Sequence, residues 1–483
     1  MSSTTPGKPV TATNASGSPH AAPLELTGRH VHFVGIGGCG MSGLARIVRA
    51  AGAYCTGTDS VGSAVTDALI TDNIAVTLRQ DAATVPEPCD LLVISAAVPR
   101  THPEVVEAER RGVAVMKYAE LLGGMMVGRT GVAVAGTHGK STTTAMLAHT
   151  LIRCGLDPSF IVGATCEQIG GGSRVGRPDM LVAEACEYDR SFHHFHPTHG
   201  VILNVEEDHL DVYGSLDAVI ESFGQFAQRI DSGGTLLIGH DSAQRTAVAS
   251  GLRCGVETIG YSPQADWTLA AEHSAAGQQV TIHHDGAAVC SYASVLPGEH
   301  MAYNTAAAAI TAHRMGAEWA DIAAALSEFR GLDRRMQTLG EHDGVTVIDD
   351  YGHHPTEIDV TLRALRGHHK PQGRGGRLVC VFQPHQHSRT RFLLEQFAAS
   401  FSHADVVIVP HIYFVRDSEE DRRAVNAADL VAQLHARGVI AEHIDAFDDI
   451  VTHLRHLTRP GDLLVVMGAG PVWQVAKSFI DGS

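Results

Sequence analysis

The sequence predicts an α/β protein of three domains, each built on a mostly parallel β-sheet. The chain has 483 residues, and about 100 to 200 residues make a domain. Two glycine-rich loops, at 35–40 and 136–141, each follow a short apolar run and precede a helical one. After residue 340, apolar strands and helical stretches alternate again. We therefore predict a tail at 1–28 and domains at 29–128, 129–339 and 340–483.

Composition excludes several classes of protein. The formal net charge of -17 argues against a nucleic-acid-binding surface, which would show clustered Lys and Arg. The nine cysteines form no C-x-x-C pair, so neither a zinc ribbon nor a disulfide framework is predicted, and a reducing, cytoplasmic compartment fits. No run of 18 apolar residues predicts a membrane helix. The first 23 residues, rich in Ser, Thr, Ala and Pro, predict a disordered tail rather than a signal peptide.

The first domain carries a dinucleotide-type glycine loop and is predicted to be Rossmann-like. A strand at His32–Val34 leads into GIGGCG at 35–40, a helix follows to Ala51, and a second strand ends near Asp59. This spacing places a pyrophosphate on the helix N-terminus and the acid on a ribose hydroxyl. NAD and a UDP-sugar share both groups, so an oxidoreductase and a nucleotide-sugar enzyme both remain open. A further strand, DLLVIS, ends at Ser95 where ligands of such sheets bind. The glycines at 123, 124 and 128 predict a linker at the end of this domain.

The second glycine loop predicts a nucleoside triphosphate site at the start of the central domain. The apolar strand Val132–Ala135 runs into Gly136-Thr137-His138-Gly139-Lys140-Ser141, and Thr142 begins a threonine run and a helix. Backbone N–H groups and the helix N-terminus hold phosphates, the lysine neutralises the terminal ones, and the hydroxyl can bind Mg²⁺. Val134 stands where the full Walker A pattern has glycine, so the loop is a shortened one.

Acidic residues follow the next two predicted strands. Asp179–Ala183 runs into Glu184 and Glu187, and Gly200–Leu203 runs into Asp208 and His209. Parallel strands end at one sheet edge, so these groups are expected beside the phosphates, where carboxylates suit Mg²⁺. His209 either binds a second metal ion or orients a carboxylate. The histidines at 193, 194, 196 and 199 lack a metal-ligand spacing and predict a surface loop.

Two further stretches carry polar groups towards this edge. Asn304 is predicted in the first turn of an Ala-rich helix, where it either faces the nucleotide or caps the helix. Arg334 and Arg335 lie in a glycine-containing linker and either bind phosphate or form a solvated pair. In the last domain, polar residues follow the first two of four apolar strands, at 349–355 and 383–391. This domain is predicted to be a second Rossmann-like sheet facing the site.

Six segments in order resemble Mur ligases over the chain from about residue 29 to its C-terminus. They are HFVGIGGCGMSGLA (32–45), AGTHGKSTTTAM (135–146), EACEYDRSF (184–192), NVEEDHLDVYG (204–214), DDYGHHPTEI (349–358) and FQPHQHSRTR (382–391). The resemblance implies an ATP-dependent amide ligase of peptidoglycan precursor synthesis that joins UDP-N-acetylmuramate to L-alanine through an acyl phosphate. It implies ATP and Mg²⁺ as cofactors, no nucleic acid or membrane partner, and a monomer or weak homodimer. A ligase that recycles murein tripeptide is the alternative within the family.

The resemblance also implies roles for individual residues. The expected catalytic residues are Lys140, His209, His353 and Arg389. The expected ATP-binding residues are Gly136, Thr137, His138, Gly139, Lys140, Ser141, Thr142, Asn304, Arg335 and Asp350. The expected UDP-sugar-binding residues are Gly35, Gly37, Gly38, Gly40, Met41, Ser42, Asp59, Ser95 and Tyr351. The expected metal ligands are Ser141, Glu184 and His209.

The sequence departs from the family pattern at two positions. Met301 stands where the family commonly has the first Asn of H-N-x-x-N, and Gln386 stands where many members have Arg. Each departure removes one expected ligand contact. The choice among L-alanine, glycine and L-serine also stays open, as does a non-catalytic nucleotide-binding regulator. Because an acyl phosphate hydrolyses, we expect the third domain to close over the site about a hinge near 335–340.

Overall fold

The computed structural model describes residues 23–274 and 276–482. The predicted disordered tail lies outside the described residues up to residue 22. From Pro23 onwards the chain is described: Leu26 is buried in the core, and the backbone N–H of Gly28 donates to the carbonyl of Gly52. No helix among the described residues has the length and apolar character needed to cross a bilayer.

The first sheet has five strands, all parallel, in the order β3-β2-β1-β4-β5. The strands are β1 (His30–Val34), β2 (Tyr54–Thr58), β3 (Ala75–Thr77), β4 (Leu91–Ile94) and β5 (Ala114–Lys117). The helices are α1 (Cys39–Ala50), α2 (Ala64–Thr71), α3 (Pro103–Arg110) and α4 (Tyr118–Met126). The strand order reverses between β1 and β4, which is where open sheets of this kind bind ligands. The predicted Rossmann-like arrangement is confirmed.

The central sheet has ten strands in the order β15-β14-β13-β12-β11-β10-β6-β9-β7-β8. The strands are β6 (Thr130–Ala135), β7 (Pro158–Ile161), β8 (Ser173–Arg174), β9 (Arg177–Glu184), β10 (His199–Ile202), β11 (Thr235–Gly239), β12 (Gly255–Gly260), β13 (Trp267–Ser274), β14 (Gly277–His284) and β15 (Ala287–Ser294). The helices are α5 (Lys140–Arg153), α6 (Leu210–Tyr213), α7 (Leu216–Ala227), α8 (Arg245–Val248), α9 (Glu299–Arg314) and α10 (Trp319–Glu328). β6 lies between β10 and β9, parallel to both, so the strand that feeds the phosphate loop is central.

Strands β13 to β15 form an antiparallel extension of the central sheet that the sequence analysis did not identify. Their inward residues alternate along the strands: Val280 and Ile282 are fully buried, whereas the intervening Thr281 is only partly buried. This period of two is typical of a sheet with one solvated face. The extension supports α9, the helix that carries Asn304, because Tyr292 donates from its hydroxyl to the hydroxyl of Thr305.

The third sheet has six strands in the order β16-β17-β21-β18-β19-β20. The strands are β16 (Gln337–His342), β17 (Val345–Asp350), β18 (Leu378–Phe382), β19 (Val406–Val409), β20 (Ile440–His443) and β21 (Leu463–Met467). The helices are α11 (Pro355–His369), α12 (His387–Phe392), α13 (Leu394–Ala399), α14 (Glu419–Ala424), α15 (Ala427–Ala436), α16 (Phe447–Leu457) and α17 (Trp473–Asp481). Only the edge strand β16 is antiparallel to its neighbour. Leu339, the predicted last residue of the central domain, lies within β16.

Alternate residues of β6 enter different hydrophobic clusters because side chains of a strand point to opposite faces. Val132 and Val134 pack in a cluster that extends to Ile348 of β17. Ala133 and Ala135 pack in a second cluster that extends to Phe33 of β1. We call the parts of the chain built on the three sheets the first, central and third units. The central sheet contacts the first unit through one face and the third unit through the other. The carboxyl ends of strands from all three sheets thus surround one space.

Two local expectations are wrong. Gly123 and Gly124 were predicted in a linker, but they lie inside α4. A Cβ at Gly123 would collide with the backbone carbonyl of His194, so glycine here permits close approach of a helix and a neighbouring segment. Asn304 was predicted in a first helical turn, but α9 begins at Glu299, so Asn304 lies in the second turn and does not cap the helix.

Candidate functional site

The phosphate loop is shaped by two glycines and by Asn204 from the neighbouring strand end. Gly136 and Gly139 have φ of 143° and 82°, values that favour glycine. Asn204 accepts from the backbone N–H of His138 at 2.8 Å and donates to the carbonyl of His138 at 3.2 Å. The loop therefore keeps its curvature without a ligand, with Gly139 as the residue before α5.

Lys140 is held inside the loop by Glu187. Its ammonium group donates to the carbonyls of Gly136 and Thr137 at 2.7 and 3.0 Å and forms an ion pair with Glu187 at 2.8 Å. Burial disfavours the charged lysine, but the Glu187 carboxylate outweighs it, so the pKa of Lys140 is raised and the side chain stays protonated. The ammonium group therefore lies within the loop, which is where phosphate groups bind in loops of this type.

A compact acidic cluster lies beside the lysine. Ligand atoms of Glu187, Asp208 and His209 all lie within 4.8 Å of one another. His209 Nε2 is 3.7 Å from a carboxylate oxygen of each acid, and its Nδ1 is buried without a hydrogen-bond partner among the described residues. Glu184 is bonded instead to the backbone N–H of Gly163 at 2.7 Å, so Glu187 rather than Glu184 adjoins His209.

His138, the histidine of the phosphate loop, joins the central and third units. Its Nε2 is 3.5 Å from Glu206 and its Nδ1 is 3.4 Å from Glu357, while its ring lies 4.5 Å from that of His354. Burial disfavours the imidazolium, but the two carboxylates outweigh it and raise the pKa of His138 to about 9. Burial opposes ionisation of Glu206 as well, yet the neighbouring His138 lowers the pKa of Glu206 to about 2.

Arg389 connects α12 of the third unit to the acidic cluster. Its Nε and Nη2 both donate to one oxygen of Asp208, at 3.0 and 2.8 Å, and both side chains are more than 90% buried. Burial opposes ionisation of Asp208, but Arg389 outweighs it and holds the pKa of that carboxyl well below its usual range. The pair ties the third unit to the cluster beside Lys140.

Two neutral histidines of the third unit lie next to this pair. Burial lowers the pKa of His353 to about 3 and that of His385 to about 3. His353 Nδ1 is 3.2 Å from the carbonyl of Tyr351, which can only accept, so we assign the ring proton to Nδ1 and a free lone pair to Nε2. Tyr351 itself lies under the guanidinium groups of Arg334 and Arg335, 5.0 and 4.9 Å from its ring centre.

A cavity of about 830 Å³ brings these groups together, a volume typical of small-molecule sites. Ten predicted site residues line it: Thr137, His138, Gly139, Lys140, Ser141, Glu184, His209, Arg335, Tyr351 and His353. Residues that the prediction did not assign also line it: Cys39, Cys186, Glu187, Asp208, Glu357, Trp473 and Lys477.

Several predicted residues lie near the cavity without lining it. Asn304 is buried against Gly139, at which a Cβ would lie 2.7 Å from the Asn304 amide oxygen. Asp350 accepts from the backbone N–H groups of Met336 and Gly352, both at 2.7 Å. Burial raises the pKa of Asp350 to about 6, against the opposing effect of Arg335. Asp350 thus shapes the chain around Arg335. Gly136, Thr142 and Arg389 likewise lie outside the lining.

The glycine loop of the first unit is separate from the phosphate loop. It meets the cavity at Cys39. Asp59 accepts from the backbone N–H of Gly37 at 2.8 Å, so the predicted ribose ligand also braces the loop. Ser42 donates to the Cys39 carbonyl at 3.0 Å, and Met41 is buried. Gly35 has φ of 75°. Of the remaining predicted UDP-sugar residues, Gly38 lies on the same loop, Gly40 lies in the first turn of α1, and Ser95 directly follows β4.

Glu357 is the clearest site residue that the sequence analysis missed. It lies in the first turn of α11 and accepts from the backbone N–H groups of His353 and His354, at 2.9 and 3.2 Å. Its position three residues after His354 matches the spacing of a capping box, which was the available signal. Glu187 and Asp208 were identified as strand-end carboxylates, but their pairing with Lys140 and Arg389 depends on tertiary structure.

The histidines at 193–199 bind other protein groups rather than one another. His193 Nε2 lies 3.0 Å from the carbonyl of Ser222, and His199 Nδ1 lies 2.8 Å from the hydroxyl of Thr235. Neither of the two potential metal-binding groups among the described residues includes them. Only His194 is exposed, so the predicted surface loop is partly buried.

Comparison with known families divides the chain into three matched segments. Residues 30–130 match the description "Mur ligase family, catalytic domain", residues 134–312 match "Mur ligase middle domain" and residues 334–470 match "Mur ligase, glutamate ligase domain".

The chain is similar over nearly its whole length to proteins named UDP-N-acetylmuramate–L-alanine ligase. It is 39% identical to the one from Lachnospira eligens, over 93% of this chain and 98% of the relative. It is 37% identical to the one from Caldanaerobacter subterraneus subsp. tengcongensis, over 94% and 97%.

Solved structures agree with this similarity. The structure of a UDP-N-acetylmuramate-alanine ligase from Thermotoga maritima is 25% identical, covers 94% of this chain and 98% of its own, and superposes with a TM-score of 0.75. A murein peptide ligase from Psychrobacter arcticus shares the fold at 24% identity, with a TM-score of 0.67.

Proposed function

The chain belongs to the Mur ligase family, and from this premise we propose that it joins the lactyl carboxylate of UDP-N-acetylmuramate to the amino group of L-alanine, with cleavage of ATP to ADP and phosphate. Similarity of 39% over almost the full length of a relative of that name supports the choice of substrates. The observation that carries the proposal is the cavity at which phosphate-loop, acidic and third-unit residues meet.

Activation of the carboxylate requires a phosphoryl group next to a cation. A carboxylate does not condense with an amine in water at neutral pH, so its oxygen must first become a leaving group. Lys140 and the backbone N–H groups of the loop neutralise the phosphoryl oxygens while the carboxylate attacks the γ-phosphorus. An acyl phosphate and ADP result. Glycine 139 and the start of α5 fix the orientation of the triphosphate.

The residues beside the loop fit Mg²⁺. The hydroxyl of Ser141 lines the cavity and has no hydrogen-bond partner among the described residues, and carboxylates of Glu184 and Glu187 lie nearby. Hydroxyl and carboxylate oxygens are ligands that Mg²⁺ prefers, and His209 offers an unpartnered Nδ1. We propose that Ser141 and Glu184 would hold one Mg²⁺ ion and that His209, with Glu187, would hold a second. When bound, the ions supply charge neutralisation on the phosphate oxygens.

The second half-reaction, attack of the amine on the acyl phosphate, takes place on the side of the cavity that the third unit forms. The neutral amine of L-alanine attacks the acyl carbon, and the tetrahedral intermediate then expels phosphate. His353, neutral because burial lowers its pKa to about 3, offers the Nε2 lone pair to an N–H of the amine and orients it. The Arg389–Asp208 pair and the His138–Glu357 contact hold the third unit over the cavity, which excludes water from the acyl phosphate.

The testing experiment is phosphate release by the purified full chain with ATP and Mg²⁺. UDP-N-acetylmuramate is present or absent, and L-alanine, glycine, L-serine or murein tripeptide is added singly. We expect release that needs both UDP-N-acetylmuramate and L-alanine, with a product heavier by one alanyl residue. Release that needs UDP-N-acetylmuramate and murein tripeptide, but does not occur with L-alanine, would assign the chain to the recycling reaction. Binding of NAD(P)H without any turnover of ATP would favour an oxidoreductase.

Lys140→Ala gives the sharpest variant for this assay. We expect turnover to fall by at least about 1000-fold, because the phosphoryl oxygens lose their cation and Glu187 loses its partner. Arg153→Ala is the matched control, since Arg153 ends the same helix and forms an exposed pair with Glu328. Normal turnover by the Lys140 variant would remove the phosphate-loop assignment.

A further inference from the structure

A second cavity, of about 710 Å³, lies at the edge of the central sheet opposite to the phosphate loop. Strands β6, β10, β11 and β12 are parallel to one another. The lining segments 126–129, 196–198 and 251–253 come shortly before β6, β10 and β12, and residues 227–232 at the end of α7 complete the lining. Because β6 has six residues and a strand advances about 3.3 Å per residue, this cavity lies roughly 20 Å from the phosphate loop.

The lining of this cavity is positively charged, although the whole chain has a formal net charge of -17. Three arginines line it, namely Arg129, Arg229 and Arg253, and we call it the arginine cavity. Among the described residues, Asp231 is the only acidic residue of the lining, and one of its carboxylate oxygens accepts from the backbone N–H of Gly233 at 2.8 Å. Arginines therefore outnumber acids here in an otherwise acidic protein.

The three guanidinium groups of the arginine cavity are not neutralised by the protein. Within residues 23–274 and 276–482 none of them forms an ion pair or a hydrogen bond. Arg129 is half-buried, and burial lowers its pKa with no carboxylate acting against that effect. Arg229 and Arg253 are exposed, and Arg229 adds to the effect of burial in lowering the pKa of the lining residue His196. The described residues thus leave a positive charge in this cavity without a counter-charge.

The described part of the chain begins beside the arginine cavity, but the residues before it carry no carboxylate side chain. A Cβ at Gly128, a lining residue, would lie 3.3 Å from Cγ of Pro23. Residues 1–22, which lie outside the described residues, contain no Asp or Glu. Their unmodified side chains therefore cannot supply the missing negative charge, which points to a ligand that is not part of the chain.

Two of the arginines lie on backbone that is fixed by hydrogen bonds. The N–H of Arg129 donates to the carbonyl of Met126 at 3.1 Å, and the carbonyl of Arg129 accepts from the hydroxyl of Thr198 at 3.2 Å. The N–H of Arg229 donates to the carbonyl of Phe226, in the last turn of α7, at 2.9 Å. A ligand therefore meets these two arginines without having to order their backbone.

The lining fits a diphosphate group carried by a small organic molecule. Guanidinium groups bind phosphate oxygens through paired hydrogen bonds, and a diphosphate offers enough oxygens for more than one arginine. Gln228 and Ser232 add side-chain donors that have no hydrogen-bond partner among the described residues, and Val127 and Leu252 add apolar surface. The cavity volume is typical of small-molecule sites.

We propose that the arginine cavity is a second ligand site of this protein, which binds a small molecule with a diphosphate group through Arg129, Arg229 and Arg253. The site is separate from those of ATP and the UDP-sugar in the proposed reaction, because both glycine loops follow the carboxyl ends of strands. A ligand here contacts two units at once, since residues 126–129 leave α4 of the first unit and the other lining segments belong to the central unit. Its binding should therefore stabilise the junction of these two units.

The test titrates the full chain with inorganic pyrophosphate in a calorimeter, without Mg²⁺ or substrates. We expect the double variant Arg129→Ala/Arg229→Ala to bind one pyrophosphate fewer per chain than the wild type, or to bind that one at least about 10-fold more weakly. Lys140→Ala should keep this site, because the substitution changes only the phosphate loop. Arg437→Ala is the matched control, since Arg437 is exposed at the end of α15 and does not line the arginine cavity.

Pyrophosphate binding that is equal in number and affinity in the wild type and the double variant would overturn the proposal. So would a site that binds inorganic phosphate as tightly as pyrophosphate, because a single phosphate group would then be sufficient. Arg253→Ala, at an exposed position, should weaken binding at the same site and repeats the test if the double variant is less stable than the wild type. These binding measurements need no turnover, so failure of the proposed function would leave their outcome unchanged.

Discussion

Individual side chains around the cavity have opposite protonation states although they are largely shielded from solvent. His138 has a pKa of about 9 because two carboxylates outweigh its burial, whereas His353 has a pKa of about 3 because burial dominates. Neutral His353 keeps a lone pair available across the physiological range, and charged His138 binds two acids of different units. In the proposed reaction, the same residue type thus serves both in binding the amine and in closing the interface.

The His138 ion pairs make stability depend on alkaline pH. The pKa of His138 is 6.5 without the fold and about 9 within it, so its stabilisation is complete below pH 6.5 and is lost as pH rises through 9. The loss is of the order of 3 kcal/mol. We expect the melting temperature of the ligand-free chain to fall between pH 6.5 and 9.5, and His138→Gln to flatten this fall. The exposed His456→Gln is the control, and equal slopes in all three proteins would contradict the pairing.

Residue types and their order along the chain were sufficient to predict most of the cavity, but not its pairings. The predicted site residues Lys140, Ser141, His209 and His353 line the cavity because each follows the carboxyl end of a strand, β6 or β10 in the central sheet and β17 in the third. Their partners could not be predicted. The contact of Glu187 with Lys140 joins positions 47 residues apart, and that of Arg389 with Asp208 joins positions 181 apart. Contacts between residues so far apart in the chain depend on how the units pack. The hydrophobic periodicity of the sequence carries no information about that packing.

At the scale of elements, α5 is bounded by two glycines with left-handed backbone but different surroundings. Gly139 has φ of 82° and lies against Asn304, whereas Gly155 has φ of 77° and open space around its Cβ position. Each glycine relieves backbone strain, but only Gly139 also brings the phosphate loop against a neighbouring helix. Alanine variants at the two positions therefore separate the effect of backbone strain from the effect of the contact with Asn304.

Gly139→Ala and Gly155→Ala should both lower the free energy of unfolding by about 1 kcal/mol, because alanine is strained at positive φ. Only Gly139→Ala should also weaken ATP binding, by roughly tenfold or more, because its methyl group displaces Asn304 and the loop. Calorimetric titration with ATP measures the difference. Equal ATP affinity in the two variants would show that Asn304 does not support the loop.

Helix α4 gives a second element-scale prediction. Gly123→Ala should destabilise the protein by several kcal/mol, roughly 3, since its methyl group would overlap the carbonyl of His194 and separate the first unit from the central one. Gly367→Ala in α11 is the control, because nothing lies within 4 Å of its Cβ position and alanine favours helix by about 0.5 to 1 kcal/mol. The melting temperature should therefore fall in Gly123→Ala and rise slightly in Gly367→Ala.

Apolar runs predicted the parallel strands within a few residues because strands buried on both faces are continuously hydrophobic. The predicted strand Val132–Ala135, for example, is the inner part of β6. The antiparallel strands β13 to β15 were missed since alternation with histidine, threonine and glutamine conceals their apolar face. Gly123 and Gly124 were misread as a linker because the sequence alone does not distinguish a flexible glycine from one that permits close packing.

At the scale of the whole molecule, polar contacts of residues 204–209 and of the phosphate loop join the central and third units across the cavity. Besides the Arg389–Asp208 and His138–Glu357 pairs, Thr356 donates to Glu206 at 2.6 Å, and His354 Nε2 lies 3.0 Å from the carbonyl of Glu207. All of them reach residues of 204–209 or the phosphate loop. The chain passes between the units through Arg334 and Met336, both with positive φ, next to the hinge expected at 335–340.

Arg389→Ala should open this interface. Loss of the guanidinium leaves Asp208 buried and unpaired, which costs about 3 kcal/mol or more. We expect a lower melting temperature and a larger radius of gyration in small-angle scattering of the ligand-free chain. Arg391→Ala is the control, because the Arg391–Asp421 pair is partly exposed and contributes at most about 1 kcal/mol. A radius of gyration equal to that of the wild type would show that other contacts are sufficient for closure.

The ion pair between Lys140 and Glu187 has a consequence for the salt dependence of nucleotide binding. The lysine already has an anionic partner at 2.8 Å, so an arriving phosphate replaces one counter-ion by another. Such an exchange changes the local charge less than binding to an unpaired cation does. ATP affinity should accordingly vary little with ionic strength, and each nucleotide that binds at Lys140 frees the carboxylate of Glu187 for the cation that accompanies it.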